Sequence, residues 1–363
     1  MSQQTGPYLD EPATNPKKHR FLGWILLAVF AAGVLAAAFL PTPYVIERPG
    51  PAFNVLSTSN KIPVITVSGA KTYPTSGALD LLTVSVVGAP GATPSWLELL
   101  GAWLDPAQTI VPLDQMYPPG QTSSATLKQD ALMFKDSQQQ ATAAALGALG
   151  YKFDYQVYVD SLDAGSPAKG LVKVGDTIES AAGQAVNGIE SLRAAVQSTA
   201  GKSVALSLIR AGRHLTVNVT PKFVGGAYRI MVLVGSRYKF PINVNLQLSD
   251  IGGPSGGTMF ALGIYDKMTP GALTGGQLVA GTGTIDATGT VGAIGGIRQK
   301  MFGAQRAGAA WFLAPEANCN EVVGHIPAGL HVVKIANFEQ ALAAVKQIAK
   351  QHSAVGLPTC SAN

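Results

Sequence analysis

Asp250-Ile-Gly-Gly-Pro-Ser255-Gly-Gly-Thr258 follows directly on Ile242-Asn-Val-Asn-Leu-Gln-Leu248. The earlier segment alternates apolar and polar residues, as a strand with one buried face does. Pro254 suits a helix start, so the serine is expected on a strand-to-helix turn. Gly252, Gly253, Gly256 and Gly257 let another backbone approach that turn closely. Downstream come Ala280-Gly-Thr282-Gly-Thr-Ile-Asp286 and Gly295-Gly-Ile-Arg-Gln-Lys300. A serine hydroxyl attacks an acyl carbon only when a neighbour takes its proton and donors stabilise the oxyanion. A lysine performs the first task only when neutral, against an ordinary pKa near 10.4. Burial among Ile294, Ile297, Met301 and Phe302 would depress the pKa of Lys300, and Arg298, if it shares that side, would add like-charge repulsion. Each residue also has a plainer interpretation. Ser255 alone reads as a loop hydroxyl or helix cap, Lys300 as a solvated helix face, Thr282 as a turn residue, and a lone GxSxG is weak evidence.

The chain has 363 residues and a formal net charge of +5 without a dense basic block beyond Lys17, Lys18 and Arg20, so nucleic-acid binding is not expected. Phe21 to Leu40 carry no charge, and about twenty apolar residues span a bilayer core of about 30 Å. These residues are expected to form a transmembrane helix, with residues 1–20 as a cytoplasmic tail by the positive-inside bias and everything from about residue 42 outside. A cleaved signal peptide is the competing interpretation, given Ala36-Ala37-Ala38, but its apolar core is usually shorter. Cys319 and Cys360 are the two cysteines, free to pair in an extracytoplasmic setting and otherwise two thiols. No metal-ligand spacing and no GxxxxGK[ST] loop occur, so neither a metal, another cofactor nor ATP is expected.

Residues 41–150 form the N-terminal part of the ectodomain. Ile62 to Val67 and Ala78 to Val87 read as strands, Trp96 to Leu104 as a helix capped by Ser95, and Ser137 to Leu149 as a helix stopped at Gly150. From Tyr151 the character changes. Gln156-Val-Tyr-Val159, Asp163-Ala-Gly-Ser-Pro-Ala168, Gly170-Leu-Val-Lys-Val-Gly175-Asp176, a helix-like Ile189 to Gln197 and two strands joined at Ala211-Gly212 follow. That series resembles bacterial PDZ domains over residues 151–222. The resemblance implies capture of an extended peptide by addition of a strand to a sheet edge.

Residues 223–352 then bring Arg229 to Val234 as a strand and the three motifs quoted first, with Ala304-Gln-Arg-Ala-Gly-Ala-Ala-Trp-Phe-Leu-Ala-Pro315 after them. Together they resemble the proteolytic domain of Lon proteases. The resemblance implies a serine endopeptidase with Ser255 as nucleophile, Lys300 as base and Thr282 orienting the lysine. Oxyanion donors would come from backbone amides around Gly253 and Ser255. It further implies an α/β (α+β) protease fold into which the PDZ domain is inserted, and a homo-oligomer, typically a hexamer. Many members carry alanine after the serine; Gly256 here is expected to loosen the helix start. The substrates expected are unfolded or membrane-associated proteins and peptides. Asn337 to Lys350 read as a core-packed tail helix, with 353–363 as a C-terminal tail. Two alternatives stand. An α/β-hydrolase would pair Ser255 with His325 or His331 and an acid from Asp266, Asp286, Glu316 or Glu321, although no run of βα units precedes the serine. A catalytically inactive, membrane-tethered PDZ scaffold would lack reactivity at Ser255.

Overall fold

The computed structural model describes residues 16–59, 61–117, 123–186, 188–248 and 252–361. Ser249, Asp250 and Ile251 lie outside the described residues, as do residues 1–15 of the expected cytoplasmic tail. The helices are α1 (Pro16–Phe39), α2 (Trp96–Leu104), α3 (Ser123–Ala148), α4 (Ile189–Ser198), α5 (Gly257–Met268), α6 (Ile297–Arg306) and α7 (Phe338–Gln351). The strands needed here are β1 (Tyr44–Asn54), β2 (Ile65–Ser68), β3 (Ala78–Val87), β4 (Thr109–Pro112), β5 (Asp154–Leu162), β6 (Thr177–Ala181), β7 (Val204–Arg210) and β8 (Arg213–Val219). They continue with β9 (Val232–Lys239), β10 (Asn243–Leu246), β11 (Leu278–Gly281), β12 (Trp311–Pro315) and β13 (His331–Ile335).

The chain divides into two compact units. One comprises residues 1–46 and 86–119. In it, Leu99 and Ala102 of α2 bury against Ile46, with Tyr44, Val87 and Ile110 around them. Ser95 caps α2 through a reciprocal pair in which Glu98 N–H donates to the serine hydroxyl and Ser95 N–H to the Glu98 carboxylate.

The other unit, residues 47–85 and 120–363, holds the sheet ordered β13-β12-β11-β3-β1. Its β3-β11, β11-β12 and β12-β13 pairs are parallel. A parallel sheet is buried on both faces, and successive side chains alternate between them. Leu81, Val279 and Leu313 accordingly face a core shared with α3, α5 and α7. Leu82, Ala280 and Phe312 face a second core under Ile297, Met301 and Ala304 of α6. Cys319 and Cys360 form a disulfide, Cα–Cα 5.1 Å. It ties the tail to this second core, against which Cys360 packs, while Leu357 is buried in the first.

Within the same unit a smaller antiparallel sheet runs β8-β7-β6-β5-β9 around Val157, Ile178, Leu192 and Leu206. Here the structure departs from the expected boundary at residue 222. β9 pairs with β5 along its whole length, from Val232 opposite Leu162 to Lys239 opposite Asp154. Ile230 is buried in the small core, and its carbonyl accepts from Ser166 Oγ at 2.8 Å. The module therefore extends to Lys239. The helix expected from Ser137 likewise starts at Ser123.

Candidate active site

The site forms beyond the carboxyl end of β11, where helices from the two faces of the sheet converge. Parallel sheets commonly place their sites there. Gly253, at φ +82°, supports the reversal that brings the chain to Ser255 and α5. Helix α3 and the residues after β11 hold this turn. Gly253 N–H donates to the Asp130 carbonyl of α3 at 3.0 Å. Ser137, about two turns further along α3, donates its hydroxyl to the Pro254 carbonyl at 2.9 Å. The Ser255 carbonyl accepts both the Gly283 N–H at 2.9 Å and the Thr282 hydroxyl at 3.0 Å.

Lys300 approaches from the other face, on α6. It is 3% exposed, and its Nζ donates to Thr282 Oγ1 at 3.2 Å. Thr282 is fully buried, and its one proton is engaged with the Ser255 carbonyl. Toward lysine the threonine is therefore an acceptor only. The three residues form a directed chain, amine to hydroxyl to the Ser255 backbone. Burial pulls the Lys300 pKa down to about 8, with the Glu47 carboxylate opposing that shift. Arg298 is not among the charges that set it. Glu47 is itself raised by burial, and Lys300 works against that rise.

The structure corrects the expected oxyanion donor at Gly253, because that amide is engaged by Asp130. The amides of Ser255 and Gly256 have no acceptor among the described residues. They are the free donors at the start of α5, where the helix dipole favours negative charge. A Cβ at Gly256 would meet Leu81 Cδ1, so the turn packs closely on the β3 side chain. Asp130 and Ser137 escaped sequence reasoning because nothing local marks a helix residue as the partner of a turn more than a hundred positions away. Ser255 Oγ makes no hydrogen bond among the described residues, and Thr282 ties the Lys300 amine to the Ser255 main chain.

Residues 249–349 match the family model of the Lon protease (S16) C-terminal proteolytic domain. The chain carries a Lon-like proteolytic domain and is a serine-type peptidase. The side chains of the alternative hydrolase site have other partners. His325 Nδ1 lies 3.1 Å from the Val323 carbonyl and His331 packs on Trp311. Asp266, Asp286, Glu316 and Glu321 bond to Leu273, to Thr288 and Thr290, to Lys334 and to Asn318. Among solved structures, similarity is found to PDZ domains of SdrC-like proteins. The one from Listeria monocytogenes is 20% identical, TM-score 0.20, covering 22% of this chain and 85% of that chain. The one from Listeria innocua is 22% identical, TM-score 0.21, covering 22% and 92%. A solution structure from Geobacillus thermodenitrificans is 29% identical, TM-score 0.19, covering 20% and 84%. No curated protein matches.

Proposed function

We propose that this chain is an ATP-independent, membrane-anchored endopeptidase that cleaves unfolded or membrane-associated proteins outside the cytoplasm, with Ser255 as nucleophile and Lys300 as base. The observation that carries the catalytic assignment is the buried Lys300-Thr282-Ser255 chain. Because Thr282 accepts from the amine, it takes an N–H of lysine and leaves the lone pair of a neutral Lys300 free to receive the Ser255 proton. Ser255 Oγ then bonds to the substrate carbonyl carbon while its proton passes to Nζ. The developing oxyanion lies against the amides of Ser255 and Gly256. The Lys300 ammonium returns the proton to the departing amine as the peptide C–N bond breaks, leaving an ester on Ser255. Water, deprotonated by the same lysine, hydrolyses that ester and restores the hydroxyl. With a pKa of about 8, about a tenth of Lys300 is neutral at pH 7, so turnover rises with pH through that value.

Two features support the remaining assignments. β9 ends the small sheet, so its outer edge has no strand partner among the described residues, and α4 lies beside it. An edge of that kind takes up an extended peptide by strand addition, in line with the PDZ resemblance. β9 also touches the helix that holds the Ser255 turn. Gln140 of α3 donates to Ser236 Oγ at 3.0 Å and accepts from the Tyr238 hydroxyl at 2.8 Å.

The anchor is supported by the uncharged run Phe21 to Leu40 and by α1, whose Phe21, Trp24 and Phe30 are exposed. Among the described residues no helix is long and apolar enough to cross a membrane; the side chains of Ala36 and Ala37, within the run, lie outside the described set. Cleavage of an unfolded protein such as reduced casein, measured for the full chain and for Ser255→Ala and Lys300→Ala, tests the proposal. Activity must vanish in both variants; survival in either overturns the assignment.

A further inference from the structure

α2 carries an apolar face that its own unit does not use. At about 100° per residue, Trp96, Leu97, Leu100, Trp103 and Leu104 fall within an arc of about 120°. They are 49%, 48%, 54%, 75% and 70% exposed. The buried residues Leu99 and Ala102 lie to one side of that arc and pack on Ile46. The only charge on the helix, Glu98, points away from the arc and is held by Ser95 in the capping box. Single exposed apolar residues are ordinary on protein surfaces, but five large ones side by side mark a docking face.

What covers that face follows from where it is fastened. Pro41 and Ser95 form a β-bridge, and the Pro94 carbonyl accepts both the Thr42 N–H at 3.2 Å and the Thr42 hydroxyl at 2.9 Å. Thr42 stands just past the C-terminal end of α1, where Phe39 and Leu40 are also exposed. The start of α2 is thus bonded to the point at which the uncharged run ends, and α1 packs beside α2. Tryptophans two turns apart on a short helix otherwise lined with leucine are the composition of an interfacial segment, with amphipathic rings at headgroup level.

We infer that α2 lies in the lipid interface of the leaflet from which α1 emerges, with Trp96, Leu97, Leu100, Trp103 and Leu104 inserted among the upper acyl chains. The inference rests on α1 being a membrane anchor. The test uses the full chain in phosphatidylethanolamine and phosphatidylglycerol vesicles, with an environment-sensitive fluorophore on Leu104→Cys or, as a second position, Leu97→Cys. Cys319 and Cys360 are bonded to each other and do not take the label. Glu339→Cys, at an exposed position on α7, provides the aqueous reference, and alkaline extraction of the vesicles separately reports whether α1 anchors the chain.

The expected result is retention after extraction, a blue shift of the label at Leu104 and Leu97, and quenching there by brominated lipid but not at Glu339. Retention with both positions quenched by aqueous iodide instead overturns the inference and leaves the anchor standing. Retention with both positions shielded from lipid and iodide alike assigns the face to a protein partner or second copy, and likewise overturns it. Loss of the chain on extraction overturns the anchor, and the inference with it.

Discussion

Replacing Lys300 by methionine tests the state of the buried amine through stability, independently of catalysis. Burial moves the lysine from 10.5 in the unfolded chain to about 8 in the folded one. The unfolded state thus binds more protons between those values, so the penalty is fully present below pH 8 and disappears as pH rises through 10.5. At about 1.4 kcal/mol per pKa unit it amounts to about 3 kcal/mol at pH 7. Methionine fills nearly the same volume without charge. It forfeits the hydrogen bond to Thr282, worth about 1 kcal/mol, and leaves Glu47 without its opposite charge. Lys300→Met should therefore stabilise the fold by about 2 kcal/mol at pH 7 and, above pH 10.5, destabilise it by about 1 kcal/mol. Thermal unfolding in a Ser255→Ala background, which removes self-cleavage, measures both. A variant destabilised equally at pH 7 and pH 10.5 would show that the lysine is a charged, paired group, and would refute a depressed pKa as the source of its basicity.

Four further outcomes are expected. A fragment starting at residue 222 lacks β3, the parallel partner of β11, and the Asp130 and Ser137 supports of the Ser255 turn; it should be insoluble or inactive, and a folded, active fragment would disprove the discontinuous domain. Ser137→Ala leaves the Pro254 carbonyl without that donor, costing about 1–3 kcal/mol and lowering kcat for a small peptide; unchanged kcat would remove α3 from the catalytic framework. Gly256→Ala drives a methyl into Leu81 and should cost about 1–3 kcal/mol in unfolding free energy, whereas a neutral result would mean the leucine repacks freely. Glu47→Gln removes the charge that lifts Lys300, so the rise of activity with pH should move to lower pH; a shift the other way would contradict the electrostatics.

Much of this architecture is written locally. The apolar run Ala78 to Val87, ended by Gly88, Pro90 and Gly91, defines a strand that the structure reproduces at the same bounds. Ser95 followed by Glu98 marks the start of α2 because the capping partners are three residues apart. Asn337 similarly caps α7 through Gln340. Where readings drifted, the deciding contact was remote. Ser123 to Asp136 carry no strong apolar stripe of their own, and within that half the Asp130 carbonyl is tied to the Ser255 turn through Gly253. β9 has the same local pattern whether it joins the large sheet or the small one, and its pairing with β5 determines which. At the site, residue types and order pointed to Ser255, Thr282 and Lys300. The direction of the bonds among them, the engagement of Gly253 by Asp130 and the close packing of Gly256 on Leu81 depend on distances that no one-dimensional pattern contains.

The most direct test of a lysine-activated Ser255 is the rate at which a fluorophosphonate labels the protein, followed from pH 6 to pH 10 with the modified residue mapped by mass spectrometry. The account predicts a single adduct on Ser255, a rate rising with an apparent pKa of about 8, and no adduct in Lys300→Met despite its intact fold. An adduct that persists in Lys300→Met, or a rate that is lost in His325→Ala or His331→Ala instead, would contradict it.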